Sequence, residues 1–235
     1  IVLDATPFYA ESGGQVGDTG VILMGENIVS VVDTVKSEGH FLHIAEIEQG
    51  SISKGDKVLA KIDKERRLAV MRNHTTAHLL QYALRQVLGE HVHQAGQLVN
   101  EKACRFDFNH FSAMTDSEVA EVEALVNAEI MSAVEVTMQE MPIEDAKKLG
   151  AMALFGEKYG NTVRVVTADK SVEFCGGTHI SNTSQIGLFK IISESSVAAG
   201  VRRIEAVTGL GVLALLNDYK NTIARSAKAL KLANV

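Results

Sequence analysis

His74-Thr75-Thr76-Ala77-His78 and Cys175-Gly176-Gly177-Thr178-His179 each place two metal-ligating side chains four residues apart. On a helix, positions i and i+4 share a face, so His74 and His78 can address one ion. Gly176 and Gly177 suit a tight turn that folds Cys175 and His179 toward a common point. Three imidazoles and one thiolate form a ligand set suited to Zn2+. A lone HxxxH pair is weak, because helices often carry two histidines by chance. Two such pairs in one chain make a metal site the leading expectation. Four protein ligands are the pattern of a closed, structural zinc site, whereas catalytic zinc keeps a position open. Both readings stand at this level.

These ligands need elements to carry them. Glycine-punctuated short strands run from residue 1 to about 62: Val21–Met24, Ile28–Val35, Phe41–Glu46 and Lys57–Ile62. Their even spacing predicts a small β-barrel. Asp63 can cap a helix that carries Leu68, Met71, His78, Leu79 and Leu84 and stops near Gly89. A strand-like segment follows over Gln97–Phe108. Thr115 and Glu118 then form a capping box ahead of Val119, Val122, Leu125, Val126 and Ile130 at helical spacing. Val134–Met141 alternates as a strand, and Pro142–Leu149 reads as a short helix. Val163–Thr167, Val172–Cys175, Ile186–Ser193 and Val201–Val207 read as strands, and a last helix begins near Gly211. The predicted class is α+β. Residues 1–62 form the barrel, 63–209 a two-layer α/β sandwich with the metal ligands, and 210–235 a C-terminal helix.

Composition narrows the setting. The 235 residues are 46% hydrophobic and 22% charged, as in ordinary globular proteins. No apolar run is long enough to span a bilayer, and no signal pattern opens the chain. Only Cys104 and Cys175 are present, which argues against a disulfide framework and for a reducing, cytosolic compartment. Cys104 reads as a buried apolar residue. The start at Ile1 suggests a piece of a longer chain. A net charge of −6 does not by itself suggest a nucleic-acid partner. Lys64, Arg66, Arg67 and Arg72 still form a local basic stretch before the first histidine pair. Such a stretch is either a phosphate contact or a solvated helix face.

Several stretches together resemble the editing region of the bacterial alanyl-tRNA synthetase family. They are Thr6–Asp18 with its Glu-Ser-Gly-Gly-Gln core, Asn73–Leu80, Ala151–Tyr159, Phe174–His179 and Gly200–Ala206. The last two are very specific in combination. Ala77 is a departure, since the family often has Thr or Ser there. Threonyl-tRNA synthetase carries a related editing domain but lacks this opening. The resemblance implies hydrolysis of Ser-tRNA(Ala) and Gly-tRNA(Ala), with Zn2+ as cofactor and the tRNA(Ala) acceptor end as partner. It also implies that the aminoacylation domain precedes Ile1, and no stretch here resembles that domain's motifs. A free-standing trans-editing protein and a non-catalytic tRNA-binding module with structural zinc are the alternatives.

Such editing has a physical rationale. Serine differs from alanine by one hydroxyl and glycine by one methyl, differences worth only about 10- to 200-fold in a pocket, so a second hydrolytic site is expected. The resemblance puts Gln94 in the pocket, where an amide can donate to a carbonyl or oxyanion. It puts Arg202 toward the pocket or the terminal phosphate, with a surface salt bridge as the other reading. Arg203, its neighbour on an alternating strand, points to the opposite side and is expected among the tRNA contacts. Thr75 offers a hydroxyl either to the serine side chain or to its own helix backbone. Gly13 and Gly14 are expected in a loop whose backbone approaches the acceptor end, and Arg72 near the phosphates.

Overall fold

The computed structural model describes residues 1–152 and 159–231. Residues 153–158, within the Ala151–Tyr159 stretch, and residues 232–235, at the end of the expected C-terminal segment, lie outside the described residues.

The N-terminal strands β1 (Gly20–Met24), β2 (Asn27–Ser37), β3 (His40–Gln49) and β4 (Leu59–Ile62) form one antiparallel sheet in the order β3-β2-β1-β4. The expected barrel is therefore corrected to an open sheet. The glycine turns do specify hairpins, as at Glu38-Gly39, where both residues have positive φ. Closure would need the two edge strands, β3 and β4, to pair with each other; among the described residues β4 pairs with β1 alone, from Gly20↔Ile62 to Leu23↔Leu59. Hairpin turns are local in sequence, whereas closure is a long-range pairing that turn spacing does not encode. Ile22, Val29, Val31 and Phe8 form the buried side of this sheet.

Helix α1 (Lys64–Leu88) begins where expected, with Asp63 accepting a hydrogen bond from Arg66 N at 3.0 Å, and ends at Gly89. Every residue from Asn73 to Gln81 is buried. Such all-round burial needs neighbours on several sides. α2 (Asp116–Met131), with the expected Thr115–Glu118 capping box, packs beside it. Both helices cover a sheet in the order β10-β11-β6-β5, made of β5 (Gln94–Val99), β6 (Cys104–Asn109), β10 (Phe189–Ala198) and β11 (Val201–Thr208). Phe106, Phe108, Ile204, Leu80, Leu84, Val122 and Val126 fill this interface. The segment expected as one strand over Gln97–Phe108 is instead a hairpin. Asn100 Oδ1 accepts from Lys102 N and Ala103 N, both at 2.9 Å, and reverses the chain.

A third sheet, β7-β8-β9, contains β7 (Val136–Pro142), β8 (Thr162–Ala168) and β9 (Ser171–Phe174), with α3 (Ile143–Lys148) against it. β9 packs against α1. α4 (Leu210–Ala229) follows β11 and buries only Val212 and Ala227. Among the described residues no helix is long and apolar enough to cross a membrane.

The basic stretch of α1 joins the N-terminal sheet to the core. Arg67 forms a two-nitrogen ion pair with Asp18 and also donates to Pro7 O at 3.0 Å. Arg66 donates to Gly17 O at 2.7 Å and pairs with Glu101 at 3.2 Å. Neither is a solvated cation awaiting a phosphate. The Asp18 side chain is 4% exposed and also accepts from Tyr9 N at 2.6 Å. Asp18→Ala strands a largely buried guanidinium and should cost about 3–5 kcal/mol of unfolding free energy. A chemical denaturation midpoint essentially unchanged from wild type would show that this pair does not fasten the two units.

Candidate metal centre

α1 presents His74 and His78 on its buried face, and the loop after β9 brings Cys175 and His179 against them. The ring centroids of the three histidines lie 4.4–5.6 Å apart. Cys175 Sγ is 3.4 Å from His74 Nε2 and 3.3 Å from His179 Nε2. All four ligand atoms lie within 4.8 Å of one another. Zinc–sulfur bonds of about 2.3 Å and zinc–nitrogen bonds of about 2.0 Å imply tetrahedral edges near 3.5 Å, so the quartet fits such an ion.

Each imidazole faces a different group behind it, although His78 Nδ1 makes no hydrogen bond there. His74 Nδ1 lies 2.6 Å from Gln15 Oε1. His179 Nδ1 lies 3.2 Å from the Thr75 hydroxyl, which also accepts from Ile180 N at 3.3 Å. His78 Nδ1 faces the Glu173 carboxylate at 3.5 Å, and Ser171 Oγ donates to that carboxylate at 3.1 Å. Partners of this kind orient ligating histidines and raise their basicity.

Charge follows from burial and crowding. Burial opposes ionisation of the Cys175 thiol, but the surrounding imidazoles, His74 first, hold its pKa well below the ordinary thiol range. Burial works against a charged His78, yet Glu173 and Cys175 push its pKa up to about 9. Burial and the neighbouring His74 push His179 down to about 3. Burial raises Glu173, against the pull of His78. A thiolate among imidazoles is a site where a divalent cation replaces protons.

Gly177 decides how closely the loop approaches. A Cβ there would stand 2.0 Å from His74 Cε1 and 2.3 Å from Nδ1, whereas one on Gly176 meets nothing within 4 Å. Neither glycine has positive φ. The expectation that both serve turn conformation is therefore replaced by a contact requirement at one of them. Arg164 braces the same loop, donating to Cys175 O at 2.8 Å and Gly177 O at 2.7 Å.

The centre forms one wall of a cavity of about 270 Å³. Tyr9, Ser12 and Gly13 close it from the N-terminal unit, Gln97 from β5, and Thr162 and Arg164 from β8. Gln97 Nε2 donates to Gly13 O at 2.6 Å and lies 3.5 Å from His74 Nε2. Burial, with Cys175 adding to it, raises the Tyr9 pKa to about 12, so its hydroxyl stays protonated and donates to Ser12 O at 3.1 Å.

The expected site residues divide accordingly. His74, His78, Cys175 and His179 come together, and Gly13 lines the cavity. Gly14 lies behind it, so close to β5 that a Cβ would sit 2.4 Å from Gln97 O. Thr75 faces His179 instead of the cavity or its own helix backbone. Gln94 opens β5, paired with Phe108, and is not among the cavity-lining residues. Arg202 is ion-paired with Glu194 at 2.5 Å and Arg203 with Asp107 at 2.6 Å, both away from the cavity wall. Arg72 lies beside Gly209, where a Cβ would be 3.7 Å from its Nε.

Sequence reasoning missed Gln15, Gln97, Glu173 and Arg164. Two carried a readable signal: Arg164 and Glu173 are charges inside the apolar runs Val163–Val166 and Val172–Phe174. Gln97 carried none.

Comparison with known proteins bears on this geometry. The family described as "Threonyl and Alanyl tRNA synthetase second additional domain" matches residues 163–205, which hold Cys175, His179, Glu173 and Arg164. An alanine–tRNA ligase of Acetivibrio thermocellus is 54% identical over 233 residues, 98% of this chain and 26% of its own length. The chain belongs to the alanyl-tRNA synthetase family. Family members from Leptothrix cholodnii (52% over 234 residues) and Bacillus velezensis (49% over 233 residues) are covered to 27% and 26% of their lengths. The chain thus spans about a quarter of the length of the curated relatives it matches. The family described as "tRNA synthetases class II (A)" matches residues 1–66. The N-terminal sheet falls within this match.

Proposed function

We propose that this chain hydrolyses the ester of mischarged tRNA, Ser-tRNA(Ala) and Gly-tRNA(Ala), in the cavity beside the His74–His78–Cys175–His179 centre. The observation that carries the reading is a zinc-type ligand quartet of which His74 and Cys175 line a small cavity, and of which Cys175 and His179 lie in the stretch matched to the threonyl and alanyl second additional domain. At about 270 Å³ the cavity falls below the usual range of about 300–1,000 Å³ for larger ligands, and suits an aminoacyl group the size of serine or glycine.

The four residues would hold Zn2+, which when bound supplies a positive charge that can polarise or position a substrate oxygen or amine. The chain's own groups do the rest. Gln97, hydrogen-bonded to Gly13 O and beside His74, has an amide suited to donate to the ester carbonyl as charge builds on it. Tyr9 and Ser12 offer hydroxyls for a serine side chain, and a site built to bond that hydroxyl disfavours the alanyl ester, which lacks it. Arg164 brings positive charge to the same wall, suited to a phosphate. The described cavity-lining residues include no carboxylate, so the side chains there orient and donate and do not act as a strong base. Thr75 positions His179.

The test is the hydrolysis rate of Ser-tRNA(Ala) beside Ala-tRNA(Ala), with bound metal quantified. The seryl ester should be lost well ahead of the alanyl ester. Gln97→Ala should slow that loss on the order of 10²-fold with metal content unchanged. The closed ligand set favours a second reading, a tRNA-binding module with structural zinc. Metal-loaded protein that binds tRNA(Ala) but cuts neither ester would decide for it.

A further inference from the structure

We infer that Gln15, from the glycine-rich segment of the N-terminal unit, is a positioning residue of the metal centre that sets the tautomer of His74. This rests on the reading that the four ligands hold a metal, and goes beyond it by assigning part of the centre to the first sixty residues.

The amide leaves little freedom. Gln15 is fully buried. Its backbone is pinned twice, with Gln15 N donating to Ser12 O at 2.9 Å and Gln15 O accepting from Ser12 N at 3.2 Å. Thr178 N, which can only donate, lies 2.8 Å from Oε1, and Thr178 Oγ1 accepts from Nε2 at 2.9 Å. The backbone N–H therefore dictates which end of the amide is oxygen, an assignment otherwise open to a flip. That oxygen also faces His74 Nδ1 at 2.6 Å. An oxygen accepts, so Nδ1 carries the hydrogen and Nε2 presents its lone pair toward Cys175 Sγ, where the ion would sit. The other two imidazoles are less tightly specified, because a hydroxyl such as Thr75 can donate or accept, and Glu173 sits at 3.5 Å.

One side chain thus ties three parts together: the segment carrying Ser12 and Gly13 of the cavity wall, the ligand helix, and the Cys175–His179 loop. Gln15 is 59 residues from His74 and 163 from Thr178.

The experiment compares wild type with Gln15→Met and Gln15→Glu in the full chain. It reads Zn2+ affinity by chelator competition and the ring-nitrogen hydrogens of each ligating histidine by 15N NMR. Gln15→Met keeps the volume and removes the acceptor. It should weaken Zn2+ by about 10- to 100-fold and erase the Nδ1–H signature of His74, leaving those of His78 and His179 in place. Gln15→Glu keeps an acceptor for both His74 Nδ1 and Thr178 N and should restore the His74 signature and most of the affinity. Simple loss of packing would not single out one histidine, nor be rescued by a buried carboxylate. Wild-type affinity and an intact His74 Nδ1–H in Gln15→Met would overturn the inference. A wild-type chain that takes up no Zn2+ would instead overturn the metal reading beneath it.

Discussion

Cys175→Ala is expected to release the metal. The thiolate lies 3.3–3.4 Å from two of the three ligating nitrogens and is the one anion among the four donors, so its loss removes both a bond and the charge that balances a dication. Outer partners of a metal site account for about 10- to 100-fold in affinity, and a direct ligand should exceed that. The affinity of Cys175→Ala for Zn2+ should therefore fall by more than about 100-fold, and hydrolysis of Ser-tRNA(Ala) should fall with it. Cobalt substitution gives an independent reading: Co2+ in wild type should show a thiolate-to-metal charge-transfer band in the near ultraviolet, and Cys175→Ala should lack it. Because binding energy at such a site is also folding energy, the zinc-dependent rise in thermal midpoint should disappear as well. Tight binding with the charge-transfer band intact would remove Cys175 from the ligand set.

Gly177→Ala should be nearly as damaging, while Gly176→Ala beside it should be mild. The methyl group added at Gly177 would fall 2.0 Å from His74 Cε1 and 2.9 Å from Gln15 Oε1. His74 cannot retreat, being 1% exposed on α1 and held by Gln15, and the loop cannot retreat without moving Cys175 and His179. Overpacking of this kind typically costs about 1–3 kcal/mol, and here a backbone shift would also break up the ligand quartet. Zn2+ affinity of Gly177→Ala should fall at least as far as that of Gln15→Met. At Gly176 nothing lies within 4 Å and φ is not positive, so affinity should stay within about 2- to 3-fold of wild type. Equal outcomes for the two glycines would mean that the loop needs both for its conformation and not one for its contact.

What could be read from the chain alone was local and periodic. The helix carrying His74 and His78 was readable because Asp63, an apolar stripe and Gly89 are contiguous signals. The capping box at Thr115 was readable for the same reason. The four candidate metal ligands were readable because each pair is short-range, with a spacing that suits one ion. The resemblance also named the family on motifs that lie in one stretch each.

Tertiary structure decided everything that depends on pairing distant segments. Turn spacing announced hairpins, but whether the first sheet closes depends on whether its edge strands β3 and β4 meet, which no turn specifies. Which carboxylates pair with Arg202 and Arg203 was also decided in space, since Glu194 and Asp107 come from the two neighbouring strands. An amide was expected at Gln94, whereas the amide in the cavity wall is Gln97, because the hairpin's register, with a bulge between Gln94 and Gly96, sets which side chains reach it. Gln15, Thr75 and Glu173 reach the three imidazoles from three separate parts of the chain, Gln15 across 59 residues and Thr75 across 104. Periodicity and capping are properties of neighbours in sequence. Which group stands behind a ligand is a property of neighbours in space.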